Sequence, residues 1–410
     1  MIKILYISYD GLTDPLGQSQ IIPYLIGLSK KGYKFHIISC EKKEKYLEEK
    51  KKIANILSEN NINWHPVFYT KSPPILSTVW DIHIIKSKAI ELQKKEFFSI
   101  IHCRSYISSL IGLWMKKHYS VKFIFDMRGF WADERVEGKL WNLKNPMYRL
   151  VYAYFKNKEK DFLSNADYVV SLTEAGKSEI HSWRIISNQP IPIEVIPCCV
   201  DTELFNPDLI KKQKQDEYRK LLFINNDDFI LCYIGAIGTW YLLDNMLAFF
   251  KQLLIHNHKA KFLFITHENP NTIFKKSKSM MIPIDRIIVH KAERDNIPTL
   301  LSLSNASIFF IKPSFSKIAS SPTKQAEILS MGIPIICNSG IGDNNTIYKA
   351  GMCITLQEFN ESEYENAIPQ LINSLSEKFS QNLRQFAIHN FSLEKGINSY
   401  DYIYKAILKI

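Results

Sequence analysis

The densest run of residues able to do chemistry is Ser320-Ser321-Pro322-Thr323-Lys324-Gln325-Ala326-Glu327. Ser321 reads as a helix N-cap and Pro322 as the first helical residue, where its missing N–H costs nothing. Gly332 is placed to end that helix, and 333–336 continues as a strand. A helix amino end offers unpaired N–H groups and a positive dipole, which together bind phosphate. Ser320, Ser321 and Thr323 add hydroxyls and Lys324 adds a formal charge. Glu327 lies three residues beyond Lys324 and four beyond Thr323, so the three share one face. A carboxylate one turn down suits the two hydroxyls of a ribose while the cap holds a diphosphate. The same residues also read as a well-capped helix with an exposed Lys–Glu pair.

Such a cap needs a scaffold that presents it, and the flanking pattern supplies one. Residues 2–8 form an apolar run, followed by a loop from Gly11 to Gly17, a helical stretch at 19–30 and a second apolar run at 34–40. Buried strand, helix, buried strand is a βαβ unit. The beat continues with strands expected at 99–102, 122–126 and 167–172. A second series follows the Pro-punctuated stretch 197–207, with strands at 229–234, 261–265, 286–290, 307–311 and 333–336. Between the first two of these, Leu242, Leu243, Met246, Leu247, Phe250, Leu253 and Leu254 recur at helical spacing. Alternation of this kind predicts two α/β domains with parallel sheets, facing a cleft, with ligands beyond the carboxyl ends of the strands. The boundaries expected are 1–200 and 201–390, with 391–410 as a helix whose Ile397, Tyr400, Ile403, Tyr404, Ile407 and Leu408 must dock on something.

Composition narrows the classes. The chain has 410 residues, 46% of them hydrophobic, so a disordered or low-complexity chain is excluded. Lys+Arg 52 against Asp+Glu 41 gives +11, which favours phosphate-bearing partners. The charge is scattered: the Lys–Glu mixture at 42–52 reads as a solvated helix face. Seven cysteines without a CxxC pair indicate reduced thiols and no metal site. The amino-terminal apolar stretch is too short for a signal peptide and no run is long enough to span a bilayer, so a cytoplasmic location is expected.

With these motifs in order, the chain resembles the retaining nucleotide-sugar glycosyltransferases of family 4, which have the two-domain glycosyltransferase B fold. The likeness includes Gly17-Gln18-Ser19-Gln20, the stretch Phe125-Asp126-Met127-Arg128-Gly129-Phe130-Trp131, the junction Ile196-Pro197-Cys198-Cys199-Val200-Asp201, the loop Gly235-Ala236-Ile237-Gly238, the Ser-Pro-Thr-Lys helix and the terminal helix. The resemblance implies that the final helix crosses back to the first domain. It implies that Glu327 holds the donor ribose, and that Gly17, Gly235, Ser320, Ser321, Thr323 and Lys324 contact the donor sugar and phosphates. The family's first motif glutamate falls at Ala319. Its usual basic pair after the first donor-domain strand is missing, with Ala236 in the Arg position and Trp240 near the Lys position. Lys324 is then the remaining cation for the diphosphate.

In the first domain, Gly17 would let the opening loop approach the donor phosphate. Asp126, near a position where the family often carries a donor-contacting His, would orient a sugar hydroxyl or stabilise an oxocarbenium-like centre, or else cap the following turn. Arg104 and Arg128, just past strands, would hold an anionic acceptor or a pyrophosphate lipid, or else serve as structural ion-pair partners. His102 reads as a satisfied edge histidine. Asp133 and Glu134 point apart and make a poor acid/base pair, while Phe130 and Trp131 line a groove or plug the domain.

The implied reaction is hexose transfer from a nucleoside diphosphate sugar to a glycan or lipid-linked acceptor, with retention and without metal or cofactor, in bacterial surface polysaccharide synthesis. Lys86, Lys88, Lys94, Lys95, Lys116 and Lys117, with Trp114 and Met115, would rest on the anionic inner face of the membrane or simply be solvated. An epimerase or phosphorylase of the same fold is the alternative. A nucleic-acid binder is disfavoured because no basic-aromatic motif is present.

Overall fold

A computed structural model describes residues 1–184, 186 and 190–410. The chain divides into two compact units, Met1–Cys199 with Leu393–Ile410, and Val200–Ser392. The described residues of the first unit build a seven-stranded parallel sheet ordered β3-β2-β1-β4-β5-β6-β7. Its strands are β1 (Ile2–Ser8), β2 (Tyr33–Glu41), β3 (Asn63–Phe68), β4 (Ile100–Arg104), β5 (Lys122–Asp126), β6 (Tyr168–Ser171) and β7 (Ile193–Val195). Those of the second build a six-stranded parallel sheet ordered β10-β9-β8-β11-β12-β13. These strands are β8 (Phe229–Ile234), β9 (Ala260–Ile265), β10 (Ile287–His290), β11 (Ala306–Ile308), β12 (Ile335–Asn338) and β13 (Ile354–Leu356).

Burial explains the strand chemistry. Every residue of β8 and β9 is buried, so their near-continuous apolar sequences fit strands covered on both faces. In each sheet the chain order reverses at one place, between β1 and β4 and between β8 and β11. In open α/β sheets such a reversal is where ligands bind, beyond the carboxyl ends of the strands. The loop Gly11–Gly17 follows β1, Arg104 ends β4, and Gly235 follows β8. The stretch from β11 leads through a 3-10 turn, Phe315–Ala319, into the helix Thr323–Ser330.

Several expectations are corrected in detail. The helix expected at 19–30 is two helices, Pro15–Gln20 and Ile22–Lys30, broken at Ile21 because Pro23 starts the second. The strand expected at 333–336 begins at Ile335, since Ile333 N–H still closes the preceding helix on the Ile328 carbonyl (3.2 Å) and Pro334 has no N–H to give. The strand expected at 307–311 stops at Ile308. Beyond it Ile311 leaves the ladder, bonding the Asn338 side chain (2.8 Å) and bridging Tyr241 antiparallel.

The helix Leu393–Leu408 belongs to the first unit. It buries Tyr400, Ile403, Tyr404 and Ile407 against Tyr6, Ile100, Ile124 and the Ile22–Lys30 helix. Among the described residues no helix is long and apolar enough to cross a membrane.

Candidate functional site

In the second unit the residues singled out by sequence converge on the switch point. The helix Thr323–Ser330 starts one residue later than expected. Pro322, with φ −68° and ψ 119°, occupies the N-cap, and no side chain caps the end. Pro322 stays extended, so its carbonyl accepts the first bond, from Gln325 N–H (3.0 Å), and Ser321 lies outside the cap position. Ser320, Ser321, Pro322 and Thr323 are half-buried, and from Lys324 onward the helix is buried.

Lys324 is not the exposed partner of an exposed glutamate. It is 7% exposed, and its Nζ donates to the Tyr233 hydroxyl at 3.0 Å. The same Nζ lies 3.7 Å from the Tyr241 ring centroid and 4.1 Å from that of Tyr233. Burial pushes its pKa far below the usual lysine range, partly offset by Glu327. The two aromatic faces favour the ammonium, so the group is balanced between an apolar site and a cation cage.

Gly235 adjoins this group for two physical reasons. Its φ is +107°, which side-chain-bearing residues rarely adopt, and a Cβ there would stand 3.1 Å from Lys324 Nζ. The loop after β8 is strapped down by Leu242 N–H to the Phe310 carbonyl (2.9 Å) and Lys312 N–H to the Trp240 carbonyl (2.8 Å).

Glu327 is 5% exposed, and burial pushes its carboxyl up from the ordinary value. Arg294, placed past the end of β10, opposes that shift by donating from Nη1 to Glu327 Oε1 at 2.9 Å. Sequence reading missed Arg294 because it lies 33 positions away with no local motif; only the rule that loops past strand ends carry chemistry pointed near it. Lys317 was also missed. Its Nζ lies 3.8 Å from the Trp240 ring centroid, which puts a cation beside the residue that stands near the family's lysine position.

The first unit gathers a second cluster, of different character. Asp126 ends β5 in register with Arg104, which ends β4. Asp126 is fully buried; its Oδ2 accepts from the Tyr400 hydroxyl at 3.0 Å and lies 3.5 Å from His102 Nε2. Arg128 Nη1 lies 3.8 Å from Oδ1 and Arg104 Nη1 4.0 Å from Oδ2. Burial would raise this carboxyl, but Arg128, the His102 bond and Arg104 outweigh it and hold the pKa down to about 2. Arg104 is 3% exposed and also reaches Asp10 (3.4 Å), and Arg128 donates to Cys198 Sγ (3.3 Å).

His102 lies inside a central strand, bonded to the Tyr404 hydroxyl at 2.7 Å, and is not an edge histidine. Burial lowers its pKa, which favours the neutral ring.

Other assignments resolve plainly. Gly17 is required inside the first unit, since a Cβ there would lie 2.2 Å from the Gly11 carbonyl oxygen and 2.6 Å from Leu12 Cα. Asp133 accepts from Tyr152 (2.7 Å) and Lys156 (2.9 Å) and so has a structural role. Phe130 is buried, and Trp131 packs on Tyr106, Trp141 and Phe155, so the pair plugs the domain. Of the lysines expected to face an anionic surface, Lys86 sits over Trp114, Lys88 and Lys95 flank Glu91, and Lys116 is tied to Asp167. All seven cysteines are buried, and none is in a disulfide.

Comparison with known proteins agrees with this architecture. Residues 24–204 match the model of Glycosyltransferase Family 4, and residues 214–388 match that of Glycosyl transferases group 1. An uncharacterized glycosyltransferase of Methanocaldococcus jannaschii is 21% identical over 316 residues, covering 76% of each chain. A glycosyltransferase crystal structure from Rickettsia africae superposes with a TM-score of 0.71 at 18% identity, covering 100% of this chain and 99% of the other. The Anabaena protein HepE in complex with UDP-glucose gives a TM-score of 0.71 at 11% identity, with 100% of both chains covered. Two matched family halves, two parallel α/β units and whole-chain fold likeness lead to one conclusion: the chain belongs to the family-4-type glycosyltransferases of the glycosyltransferase B fold.

Proposed function

We propose that the protein transfers a hexose from a nucleoside diphosphate sugar to a hydroxyl of a glycan or lipid-linked acceptor, with retention of anomeric configuration. The observation that carries this reading is the grouping of Lys324 and Glu327 on the first turns of one helix with Gly235, from the loop after β8, beside the Lys324 ammonium. Ser320, Ser321 and Thr323 would meet the sugar and phosphates at the half-buried helix end, and Glu327 the ribose. As the glycosidic bond breaks, negative charge grows on the departing diphosphate. A preorganised helix end and a desolvated ammonium stabilise that charge more than they would in water. The leaving phosphate would take the acceptor's proton on the same face, so this mechanism calls for neither a separate base nor a metal ion.

In the first unit, Arg104 and Arg128 would attract an anionic acceptor. Asp126 is fully buried, so its contribution would be to orient these arginines, not to touch the sugar. Gly17 would act by shaping the first unit's opening loop, where a Cβ would collide with the Gly11 carbonyl. Work at a cytoplasmic membrane face in surface polysaccharide synthesis fits a lipid-linked acceptor. The Anabaena structure, caught with UDP-glucose, makes uridine the first nucleoside to try.

The test is a thermal-shift and calorimetric panel of nucleoside diphosphates and their hexose conjugates. A saturable shift by at least one of them, with product formed only when an acceptor is added, is expected. Consumption of the sugar nucleotide without any acceptor would favour an epimerase instead.

A further inference from the structure

Glu327 presents two oxygens, and one is already committed. Arg294 Nη1 donates to Oε1 at 2.9 Å, across 33 residues of chain, from the 3-10 turn Arg294–Asn296. Arg294 is itself held, since its guanidinium lies 5.3 Å from the Phe205 ring centroid. Phe205 is anchored in turn: its carbonyl accepts from Ser330 Oγ (2.9 Å) and from Arg384 Nη1 (3.0 Å). The arginine thus approaches Glu327 along a defined line and leaves Oε2 outside that bond.

We propose that Arg294 is a positioning residue of the donor site: it fixes Glu327 by one oxygen and neutralises it, so that the carboxylate meets the nucleotide ribose in one orientation. This rests on the reading of the second unit as the donor site.

The charges around Glu327 support it. On its own helix stands Lys324, whose Nζ is committed to the Tyr233 hydroxyl and to the ring faces of Tyr233 and Tyr241. From the packed helix Glu377–Phe391, Arg384 spends its guanidinium on the carbonyls of Phe205, Ser330 and Thr202. Arg294, permanently charged and forked, is the cation that bonds the carboxylate. Without it a carboxyl buried to 5% exposure gains a proton more readily, and a protonated group can accept fewer hydroxyl bonds.

The experiment compares wild type, Arg294→Gln and Arg294→Lys by two measurements. The first is an NMR titration of the labelled Glu327 carboxyl without ligand, with Glu327→Gln locating the signal. The second is calorimetric affinity for the nucleoside diphosphate found in the panel, between pH 5.5 and 8.

For Arg294→Gln the Glu327 midpoint should rise by a unit or more. Affinity should fall at least tenfold at pH 6 and recover as pH rises and the carboxyl ionises. Arg294→Lys should restore part of both, and it serves as the folded comparator if the glutamine variant is unstable. A Glu327 midpoint unmoved in both variants, or an affinity loss with the same pH profile as wild type, would overturn the proposal. If the midpoint shifts while no nucleoside diphosphate binds the wild type, it is the donor-site reading that fails, and the positioning role falls with it.

Discussion

Each sheet places a charged cluster where its strand order reverses, and the two clusters are built on opposite principles. In the first unit, Arg104 and Asp126 are buried and Arg128 half-buried, and the carboxyl is held at about 2 by its cationic neighbours. In the second, Lys324 is pushed toward losing its proton and Glu327 toward gaining one, and the helix end above them is half-buried. The first arrangement is a fixed ionic frame. The second is a pair that burial pushes toward its neutral forms, with Arg294 opposing that push on Glu327. Groups poised in this way gather where chemistry occurs, whereas settled ion pairs more often hold structure.

The comparison can be broken at its strongest point. Lys324→Ala should lower kcat by about 10²-fold, the scale for losing one preorganised stabiliser of developing charge, with acceptor binding little changed. Steady-state kinetics checks this, and a wild-type kcat would leave the second cluster without its chemical role.

Asp126→Asn should act on stability instead. Removing one partner of a buried ion pair costs about 3 kcal/mol, read as a lower denaturant midpoint. The acid limb follows the same logic. Because the folded carboxyl titrates below its ordinary value, its stabilisation is present above about pH 4 and is lost as pH falls toward 2. Unchanged unfolding in the Asn variant would mean that the frame bears no load.

Glu327→Ala should weaken nucleoside diphosphate binding by about tenfold, the scale of one charge-assisted hydrogen bond, with the protein still folded. Unchanged calorimetric affinity would separate Glu327 from the donor. The smallest expected effect is none at all: activity in excess EDTA should match the control, and a strict divalent requirement would contradict charge stabilisation by Lys324 and the helix end.

What sequence made legible follows from local physics. Strands 2–8, 122–126 and 229–234 were read to the residue because each is a buried apolar run bounded by polar residues. Asn63–Phe68 was missed because Pro66 and its polar neighbours look like a turn, and it is an edge strand, where proline is tolerated. Ile193–Val195 and Ile354–Leu356 are edge strands too short to show a period. The Lys324–Glu327 spacing was visible, but its burial was not: nothing local announces that Tyr233 and Tyr241 close over the lysine. Arg294 reaches Glu327 only through the tertiary fold.

The helix Leu393–Leu408 carries a consequence for how the polypeptide matures. Tyr400 and Tyr404 bond Asp126 and His102, so polar groups inside the first sheet depend on residues synthesised after the whole second unit. The second unit, by contrast, is one uninterrupted stretch of chain. During translation the unit begun first is therefore the one completed last. Until the helix Leu393–Leu408 leaves the ribosome, the earlier sheet waits with part of one face uncovered, and its exposure to chaperones and proteases lasts as long as that wait.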